Sequence, residues 1–141
     1  MQKNYIVSKS RERGVQMKEP TLGNPQNTIA VLQKYNFAFQ KKFGQNFLID
    51  THVLDKIIGS AEITKDDFVL EIGPGIGTMT QYLACAAGKV AAVEIDKALI
   101  PILEDTLDGY DNVQVINEDV LKVDIAELAK RENEGKPIKV V

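Results

Sequence analysis

The sequence predicts an α/β fold built on a mostly parallel sheet, and two observations support this prediction. Short apolar segments alternate along the chain with segments of helical periodicity, the order expected of repeated strand–helix–strand units. A glycine-rich stretch separates the first of these strands from the helix that follows it. Because strands joined through helices pair in parallel, we expect a Rossmann-like sheet of which the chain holds strands 1–3 and the start of strand 4.

Composition narrows the class of protein. The 141 residues are 44% hydrophobic, which is typical of a globular chain. The single cysteine excludes a disulfide framework and a cysteine-based zinc site. No apolar run approaches the roughly 20 residues that cross a bilayer, and the N-terminus has no secretory signal pattern. We therefore expect a cytoplasmic protein with no membrane partner and no metal.

The net charge of −3 conceals an asymmetry between two parts of the chain. Residues 1–60 carry nine Lys and Arg against four Asp and Glu, a balance of +5 (9 − 4). Residues 61–141 carry eight against sixteen, a balance of −8 (8 − 16). A basic leading part indicates a surface for a polyanion such as RNA, although a solvated tail explains the charge equally well.

The first predicted elements follow a segment without pattern. Residues 1–26 are polar, basic and aperiodic, and we expect a flexible lead to a domain over 27–141. A short helix is predicted over 27–36, where apolar residues recur at a three-residue spacing. Asp50 is placed to cap a second helix, whose inner face is apolar: Val53, Leu54, Ile57, Ile58 and Ala61.

From residue 68 onward, strands and helices alternate. Apolar segments predict strands over 68–72, 90–95, 113–117 and 138–141. Helical periodicity predicts helices over 78–87, 98–107 and 125–131. The last strand is expected beside the first, and since the sequence ends within it, we expect the chain to be the N-terminal part of a longer domain.

The glycine-rich stretch runs from Glu71 through Gly73, Gly75 and Gly77 to Thr78. Glycines allow a sharp turn and a close approach of the backbone to a ligand at the start of a helix. A dinucleotide-binding loop would have its third glycine where Thr78 stands, so a nicotinamide dehydrogenase is disfavoured. The spacing found here, preceded by an acidic residue, is the form seen in methyltransferases.

An acidic residue ends the second predicted strand. Glu94 lies 21 residues after Gly73 (94 − 73), the separation at which a carboxylate can accept from both hydroxyls of a ribose. Asp96 is the alternative for this contact, but it is better placed to cap the following helix.

The third predicted strand is also followed by an acidic residue. Asp119 is placed to accept from the amino group of an adenine, while Val120 and Ile95 cover the faces of the ring. Three successive strand ends thus each supply a group that fits an S-adenosylmethionine molecule.

Together, these motifs resemble those of the ribosomal RNA adenine dimethyltransferase family. The similarity covers about residues 27–141 and rests on four segments: Phe43-Gly44-Gln45-Asn46-Phe47-Leu48, Glu71-Ile72-Gly73-Pro74-Gly75, Glu94-Ile95-Asp96 and Glu118-Asp119-Val120. The first segment is specific to this family, whereas the glycine loop occurs in many methyltransferases. The resemblance implies the Rossmann-like fold of S-adenosylmethionine-dependent methyltransferases, here incomplete.

The resemblance also implies an activity and its site. It implies dimethylation of adenine N6 in small-subunit ribosomal RNA, with the immature 30S subunit as partner. The implied S-adenosyl-L-methionine contacts are Asn46, Leu48, Gly73, Gly75, Glu94, Ile95, Asp119 and Val120. The candidates for RNA binding are Lys34, Lys41 and Lys42. The family's Asn-Leu-Pro-Tyr motif, which holds the acceptor adenine, does not occur in the sequence, so no catalytic residue is predicted within the chain.

Two other functions stay open. An enzyme of the resistance type would dimethylate adenine in large-subunit ribosomal RNA, and the family's helical C-terminal half would discriminate it. A non-catalytic RNA-binding factor for ribosome assembly could keep the same fold. A longer chain without Asn-Leu-Pro-Tyr would support the assembly factor.

Overall fold

The computed structural model describes residues 5–7, 18–36 and 49–141, which form a five-stranded sheet with helices on both faces. The strands of these residues are β1 (Tyr5–Val7), β2 (Phe68–Ile72), β3 (Lys89–Glu94), β4 (Val113–Asn117) and β5 (Lys139–Val140). The helices are α1 (Pro25–Lys34), α2 (Thr51–Ser60), α3 (Thr78–Ala86), α4 (Ile100–Thr106) and α5 (Ile125–Glu132).

The strands lie in the order β1-β4-β3-β2-β5. The four strands from β2 to β5 are mutually parallel, as the alternation of strands and helices predicts. β5 pairs with β2 through Val69–Lys139 and Leu70–Val140, so the predicted position of the last strand beside the first is confirmed. The parallel arrangement brings the carboxyl ends of β2, β3 and β4 to one edge of the sheet.

Alternate side chains of the central strands pack on two different layers of helices, because successive residues of a strand point to opposite faces. On one face, Val69 packs in a buried cluster with Leu83 of α3 and Leu103 of α4. On the other face, Leu70 packs with Leu128 of α5. The sheet is therefore covered on both sides, which explains why its central strands are almost entirely apolar.

Predicted and observed elements agree closely over residues 50–141. β2 and β4 have the predicted bounds, and Asp50 caps α2 by accepting from the His52 N–H at 2.8 Å. The helix predicted over 98–107 begins instead as a 3-10 turn, Lys97–Leu99, before α4. Pro101 accounts for this difference, because it has no N–H to donate to the carbonyl four residues earlier.

Two parts of the segment predicted to be flexible, residues 1–26, take defined structure instead. β1 pairs antiparallel with β4, on the outer edge of the sheet. α1 begins at Pro25, because Asn24 caps it by accepting from the Gln26 N–H at 2.9 Å and proline fits a first helical turn. Leu22 is buried in a cluster with Ile76 of the glycine loop. Contacts with distant residues hold this segment, and local periodicity does not reveal such contacts.

Candidate functional site

The carboxyl ends of β2, β3 and β4 carry the groups from which the sequence predicts a binding site. Gly73 follows β2, Glu94 ends β3 and Asp119 comes shortly after β4. The parallel register sets Glu94 opposite Asn117, the last residue of β4. Open parallel sheets bind their ligands at this edge.

The glycine loop between β2 and α3 turns through three residues of positive φ. Gly73, Gly75 and Gly77 have φ values of 68°, 61° and 96°, which side chains rarely adopt. A Cβ atom on Gly73 would meet no atom within 4 Å, so there is open space beside the backbone. Thr78, which begins α3, has a buried hydroxyl without a partner among the described residues. Open space and an unsatisfied polar atom at a helix N-terminus fit a polar ligand.

The Glu94 side chain is buried at the end of β3, with only 4% of its surface exposed. Its Oε2 accepts from the Gly75 N–H and its Oε1 accepts from the Asp96 N–H, both at 3.0 Å. Burial raises the pKa of Glu94, and these two N–H groups act in the opposite direction. Because each carboxylate oxygen has two acceptor positions, both oxygens can take a further hydrogen bond from a ligand.

Asp96 and Asp119 each cap a short turn. Asp96 accepts from the Ala98 N–H at 2.9 Å, which agrees with the prediction that it caps the following helix. Oδ1 of Asp119 accepts from the Leu121 N–H at 2.9 Å. This bond fixes the direction of the Asp119 carboxylate and leaves its Oδ2 for a donor such as an aromatic amino group.

Apolar side chains lie next to these acidic residues. Ile95 follows Glu94 directly and is 48% exposed. Val120 follows Asp119 and packs against the cluster beneath α5. Aliphatic side chains beside one buried and one half-buried carboxylate suit a ligand that has both a flat apolar ring and hydroxyl groups.

Asn117 joins the end of β4 to the end of β3. Its Nδ2 donates to the Glu94 carbonyl at 2.8 Å, and the Glu118 N–H donates to the same carbonyl at 3.1 Å. These bonds fix the backbone of Glu94 relative to Asp119. No sequence pattern identified Asn117, because its role depends on the register between two strands.

A buried polar network anchors the glycine loop to the segment before α1. The Thr106 hydroxyl donates to the Ile76 carbonyl at 2.6 Å. Gln81 donates to the Thr106 carbonyl at 2.8 Å and accepts from the Thr21 and Leu22 N–H groups at 2.9 and 3.0 Å. No pattern in the sequence indicates this network, since Gln81 is an ordinary residue within a helical pattern and its partners are distant along the chain.

Glu71, the acidic residue of the glycine-loop motif, is buried in β2 with 3% of its surface exposed. The Thr80 hydroxyl donates to its Oε1 at 2.5 Å. Burial raises the pKa of Glu71 to about 7, with the Thr80 hydrogen bond acting against burial and the nearby Glu94 adding to it. This carboxyl group therefore changes its charge near neutral pH.

Four predicted contact residues lie outside the described part of the chain: Lys41, Lys42, Asn46 and Leu48. Lys34, at the end of α1, is described, and its ammonium group pairs with the Asp105 carboxylate at 2.6 Å. The Tyr35 hydroxyl donates to the same carboxylate. The ion pair reduces the positive charge that Lys34 offers to RNA.

The described residues include neither a cluster of metal ligands nor a membrane-spanning helix. No group of three or more His, Cys, Asp and Glu side chains there is arranged to hold a metal ion. No helix in that part of the chain has the length and apolar character needed to cross a membrane. Cys85 is a free thiol and packs against the cluster beneath α3 and α4.

A family model shows to which protein family the chain belongs. The model for ribosomal RNA adenine dimethylase matches residues 36–141. The chain belongs to the ribosomal RNA adenine dimethylase family. The matched range contains the glycine loop and the acidic residues at the three strand ends, so the resemblance inferred from those motifs is confirmed.

A curated member of the dimethylase family is closely similar in sequence. Ribosomal RNA small subunit methyltransferase A of Lachnoclostridium phytofermentans is 74% identical over 121 residues, which are 85% of this chain and 42% of that protein. The chain therefore spans about two-fifths of the length of this relative.

Solved structures agree with the fold. The 23S rRNA methyltransferase ErmE is 40% identical, with a TM-score of 0.53 over 56% of this chain and 32% of that chain. An RNA methyltransferase of Salinibacter ruber, solved with S-adenosyl-L-homocysteine, is 23% identical, with a TM-score of 0.50 over 56% of this chain and 54% of that chain. The second likeness concerns the fold alone. The predicted Rossmann-like methyltransferase fold, which the dimethylase family shares, is confirmed.

Proposed function

We propose that this chain supplies most of the cofactor pocket of an S-adenosylmethionine-dependent enzyme that dimethylates adenine N6 in small-subunit ribosomal RNA. One observation carries the proposal: three adjacent strand ends present a glycine loop, a buried Glu94 and a capped Asp119, in a member of the dimethylase family. The name of the relative from L. phytofermentans supports the small subunit as the source of the substrate. The partner is then the immature 30S subunit, and the enzyme acts in the cytoplasm.

The adenosine part of the cofactor fits the ends of β3 and β4. Glu94 accepts from the two ribose hydroxyls, because each of its oxygens has one acceptor position beyond its backbone bond. Oδ2 of Asp119 accepts from the adenine amino group, and Ile95 and Val120 cover the ring. Gly73 and Gly75 bring backbone close to the remainder of the cofactor. Asn46 and Leu48 complete the predicted set.

The chain's part in the reaction is to position the methyl donor. The bound cofactor supplies an activated methyl group, and transfer requires the acceptor nitrogen in line with the departing sulfur at about 3–3.5 Å. The residues assigned above hold the donor, and we assign no catalytic residue within this chain. Lys34, Lys41 and Lys42 contribute positive charge toward the RNA.

The test measures S-adenosylmethionine binding by calorimetry in the intact protein. Glu94→Ala is expected to weaken binding by about 1–3 kcal/mol, because two charge-assisted hydrogen bonds are lost. Glu104→Ala, which removes an exposed carboxylate from α4, is the matched control and should leave affinity unchanged. Equal affinity of the wild type and Glu94→Ala would mean that a residue other than Glu94 binds the ribose hydroxyls.

The name of ErmE supplies the alternative substrate against which the proposal is tested, adenine in large-subunit ribosomal RNA. The two substrates are distinguished by supplying methyl-labelled cofactor with undermethylated 30S subunits or with large-subunit RNA. Dimethyladenine is expected in the small-subunit RNA. Label in the large-subunit RNA alone would replace the first proposal with the second.

A further inference from the structure

Two turns at the carboxyl edge of the sheet have the same construction. The turn after β3 is a 3-10 turn, Lys97–Leu99, and the turn after β4 is a second one, Val120–Lys122. Asp96 precedes the first and Asp119 precedes the second, and each accepts at 2.9 Å from the backbone N–H two residues further on. These caps fix the direction in which each turn presents its side chains beside the proposed adenosine pocket.

Packing decides which side chains of the second turn face solvent. Val120 and Val123 pack against the buried cluster beneath α5, since residues three apart in a 3-10 turn lie on the same side. Leu121 and Lys122, which lie between them, are exposed, and Leu121 is exposed over 90% of its surface. The turn that packs its two valines inward thus holds a leucine and a lysine outward.

The first turn also presents a lysine. Leu99 is fully buried in a cluster with Ile76 of the glycine loop, whereas Lys97 is exposed. This turn leads into α4 on one face of the sheet, and the second turn leads to α5 on the other face. Lys97 and Lys122 therefore lie on the two sides of the edge at which β3 and β4 end.

The acidic groups at this edge are held by the backbone. Four carboxylates there each accept from a backbone N–H: Glu94, Asp96, Glu118 and Asp119. Asp124, after the second turn, is exposed and caps α5 by accepting from the Glu127 N–H at 3.0 Å. The ion pairs of the described residues include neither Lys97 nor Lys122. Two exposed ammonium groups at this edge are therefore available to a polyanion.

Other lysines lie at the opposite edge of the sheet. Lys65 precedes β2, while Lys89 and Lys139 begin β3 and β5. Lys89 and Lys139 each pair with a carboxylate, at 3.9 and 3.0 Å. The two lysines of the capped turns are thus placed at the edge where the cofactor site lies, and these three are not.

We propose that Lys97, Leu121 and Lys122 form a contact surface for the RNA strand that carries the acceptor adenine. The inference rests on the proposed function, because it needs the methyl donor bound at this edge. An adenine that leaves its stack to reach that donor brings the RNA on either side of it across the ends of β3 and β4. The two lysines bind phosphates, which fix the position of the strand, and Leu121 packs on the face of a neighbouring base.

The main experiment measures binding of the intact protein to undermethylated 30S subunits at several salt concentrations. Lys97→Ala and Lys122→Ala are each expected to reduce the slope of log affinity against log salt by about 0.7–1, the value for one phosphate contact. Lys122→Arg keeps the charge and should keep the slope. Lys130→Ala, which removes an exposed lysine near the far end of α5, is the matched control and should leave the slope unchanged.

Leu121→Ala tests the apolar contact. It should weaken 30S binding about tenfold at every salt concentration without changing the slope, because a leucine contact releases no counterions. Leu121→Met, which keeps an apolar side chain of similar volume, should bind as the wild type does. Since the Leu121 side chain is exposed in the free protein, neither change should shift its midpoint of thermal unfolding.

Cofactor binding separates this surface from the adenosine pocket. The affinity for S-adenosylmethionine, measured by calorimetry, should be the same in the wild type and the three alanine variants, because none of them removes a group assigned to the cofactor. A loss of cofactor affinity in Lys97→Ala or Lys122→Ala that equals its loss of 30S affinity would place that lysine in the cofactor pocket and overturn its RNA contact.

The remaining outcomes distinguish this inference from the proposed function. Unchanged slopes in both lysine variants, with wild-type cofactor affinity, would overturn the contact surface and leave the proposed function standing. Weaker binding to 30S subunits with unchanged binding to protein-free small-subunit RNA would assign the surface to a ribosomal protein and overturn the RNA contact. A wild type that binds neither S-adenosylmethionine nor 30S subunits would overturn the proposed function and this inference together.

Discussion

Two buried carboxyl groups, Glu71 and Glu94, differ in how the protein stabilises their charge. Glu94 accepts from two backbone N–H groups, whereas Glu71 accepts from one hydroxyl. The two backbone hydrogen bonds stabilise the charged form of Glu94, which is consistent with a carboxylate that accepts from ribose hydroxyls. Glu71 lacks that support, so burial controls its pKa and its ionisation affects stability.

Glu71 is expected to make the free protein less stable as pH rises. A pKa raised from 4.5 to about 7 means that the folded state binds more protons than the unfolded state between these values. The free energy of unfolding should therefore fall by about 3 kcal/mol as pH rises through 7. Chemical denaturation from pH 5 to pH 8 measures this fall, and Glu71→Gln should remove it.

Glu94, whose pKa burial also raises, is present in both proteins, so the difference between the wild type and Glu71→Gln isolates Glu71. Two other acids contribute little in this pH range. Hydrogen bonds lower the pKa values of Asp67 and Asp105, so their contributions are lost only as pH falls toward the acid range. A wild type whose free energy of unfolding rises between pH 5 and pH 8, relative to Glu71→Gln, would contradict the assigned direction.

Some residues of the site can be predicted from the sequence, and others cannot. Gly73 and Glu94 were predicted because motif spacing along one strand–helix unit carries the information. The roles of Thr80 and Asn117 were not, because each depends on which side chain a folded neighbour presents. Spacing predicts which residues reach a sheet edge, and packing decides what they contact there.

At the scale of elements, the segment before α1 is tied to α3 and to the glycine loop. Gln81 provides the link, since it binds the backbone of Thr21, Leu22 and Thr106 at once. The strands β2 and β4 were predicted with their observed bounds because buried parallel strands are mostly apolar. The structure of residues 18–26 was missed because nothing local distinguishes Leu22 from a residue in a loop.

Gln81→Leu is expected to release the segment before α1. The change leaves two N–H groups and a carbonyl without partners, which should lower the free energy of unfolding by about 3 kcal/mol. Amide hydrogen exchange at Thr21 and Leu22 should accelerate, and cofactor affinity should fall because Leu22 packs on Ile76 of the glycine loop.

The matched control for that change is Gln33→Leu on the exposed surface of α1. It adds the same side chain without breaking a buried bond, so exchange at Thr21 and Leu22 should keep its wild-type rate. Unchanged exchange in Gln81→Leu would mean that the apolar contacts of Leu22 hold the segment by themselves.

At the scale of the whole molecule, charge is divided along the chain, with +5 over residues 1–60 and −8 over residues 61–141. Lys34 belongs to the basic part, but its charge is paired with Asp105. The basic residues Lys41 and Lys42 adjoin the family-specific motif in sequence. The proposed RNA surface therefore depends more on these two residues than on Lys34.

RNA binding should reflect this division. Lys41→Ala and Lys42→Ala are each expected to reduce the slope of log affinity against log salt by about 1, the value for one phosphate contact. Lys34→Ala should reduce the slope by less, because Asp105 already neutralises its charge. Lys130→Ala, an exposed change in the acidic part, is the control. A larger reduction of this slope for Lys34→Ala than for Lys41→Ala would contradict the prediction.

The pairing of β5 with β2 has a consequence for the order in which the chain folds during synthesis. β2 lies between β3 and β5, and its contact from Val69 to Lys139 spans 70 residues (139 − 69). β5 begins 22 residues after the end of β4 (139 − 117), so a ribosome that makes about 5–20 residues per second exposes β2, β3 and β4 together for about 1–4 seconds before β5 emerges. During that interval one edge of β2 has no partner strand and can pair with another nascent chain. Slower translation between β4 and β5 should therefore favour aggregation, whereas a chaperone that shields β2 should favour native folding.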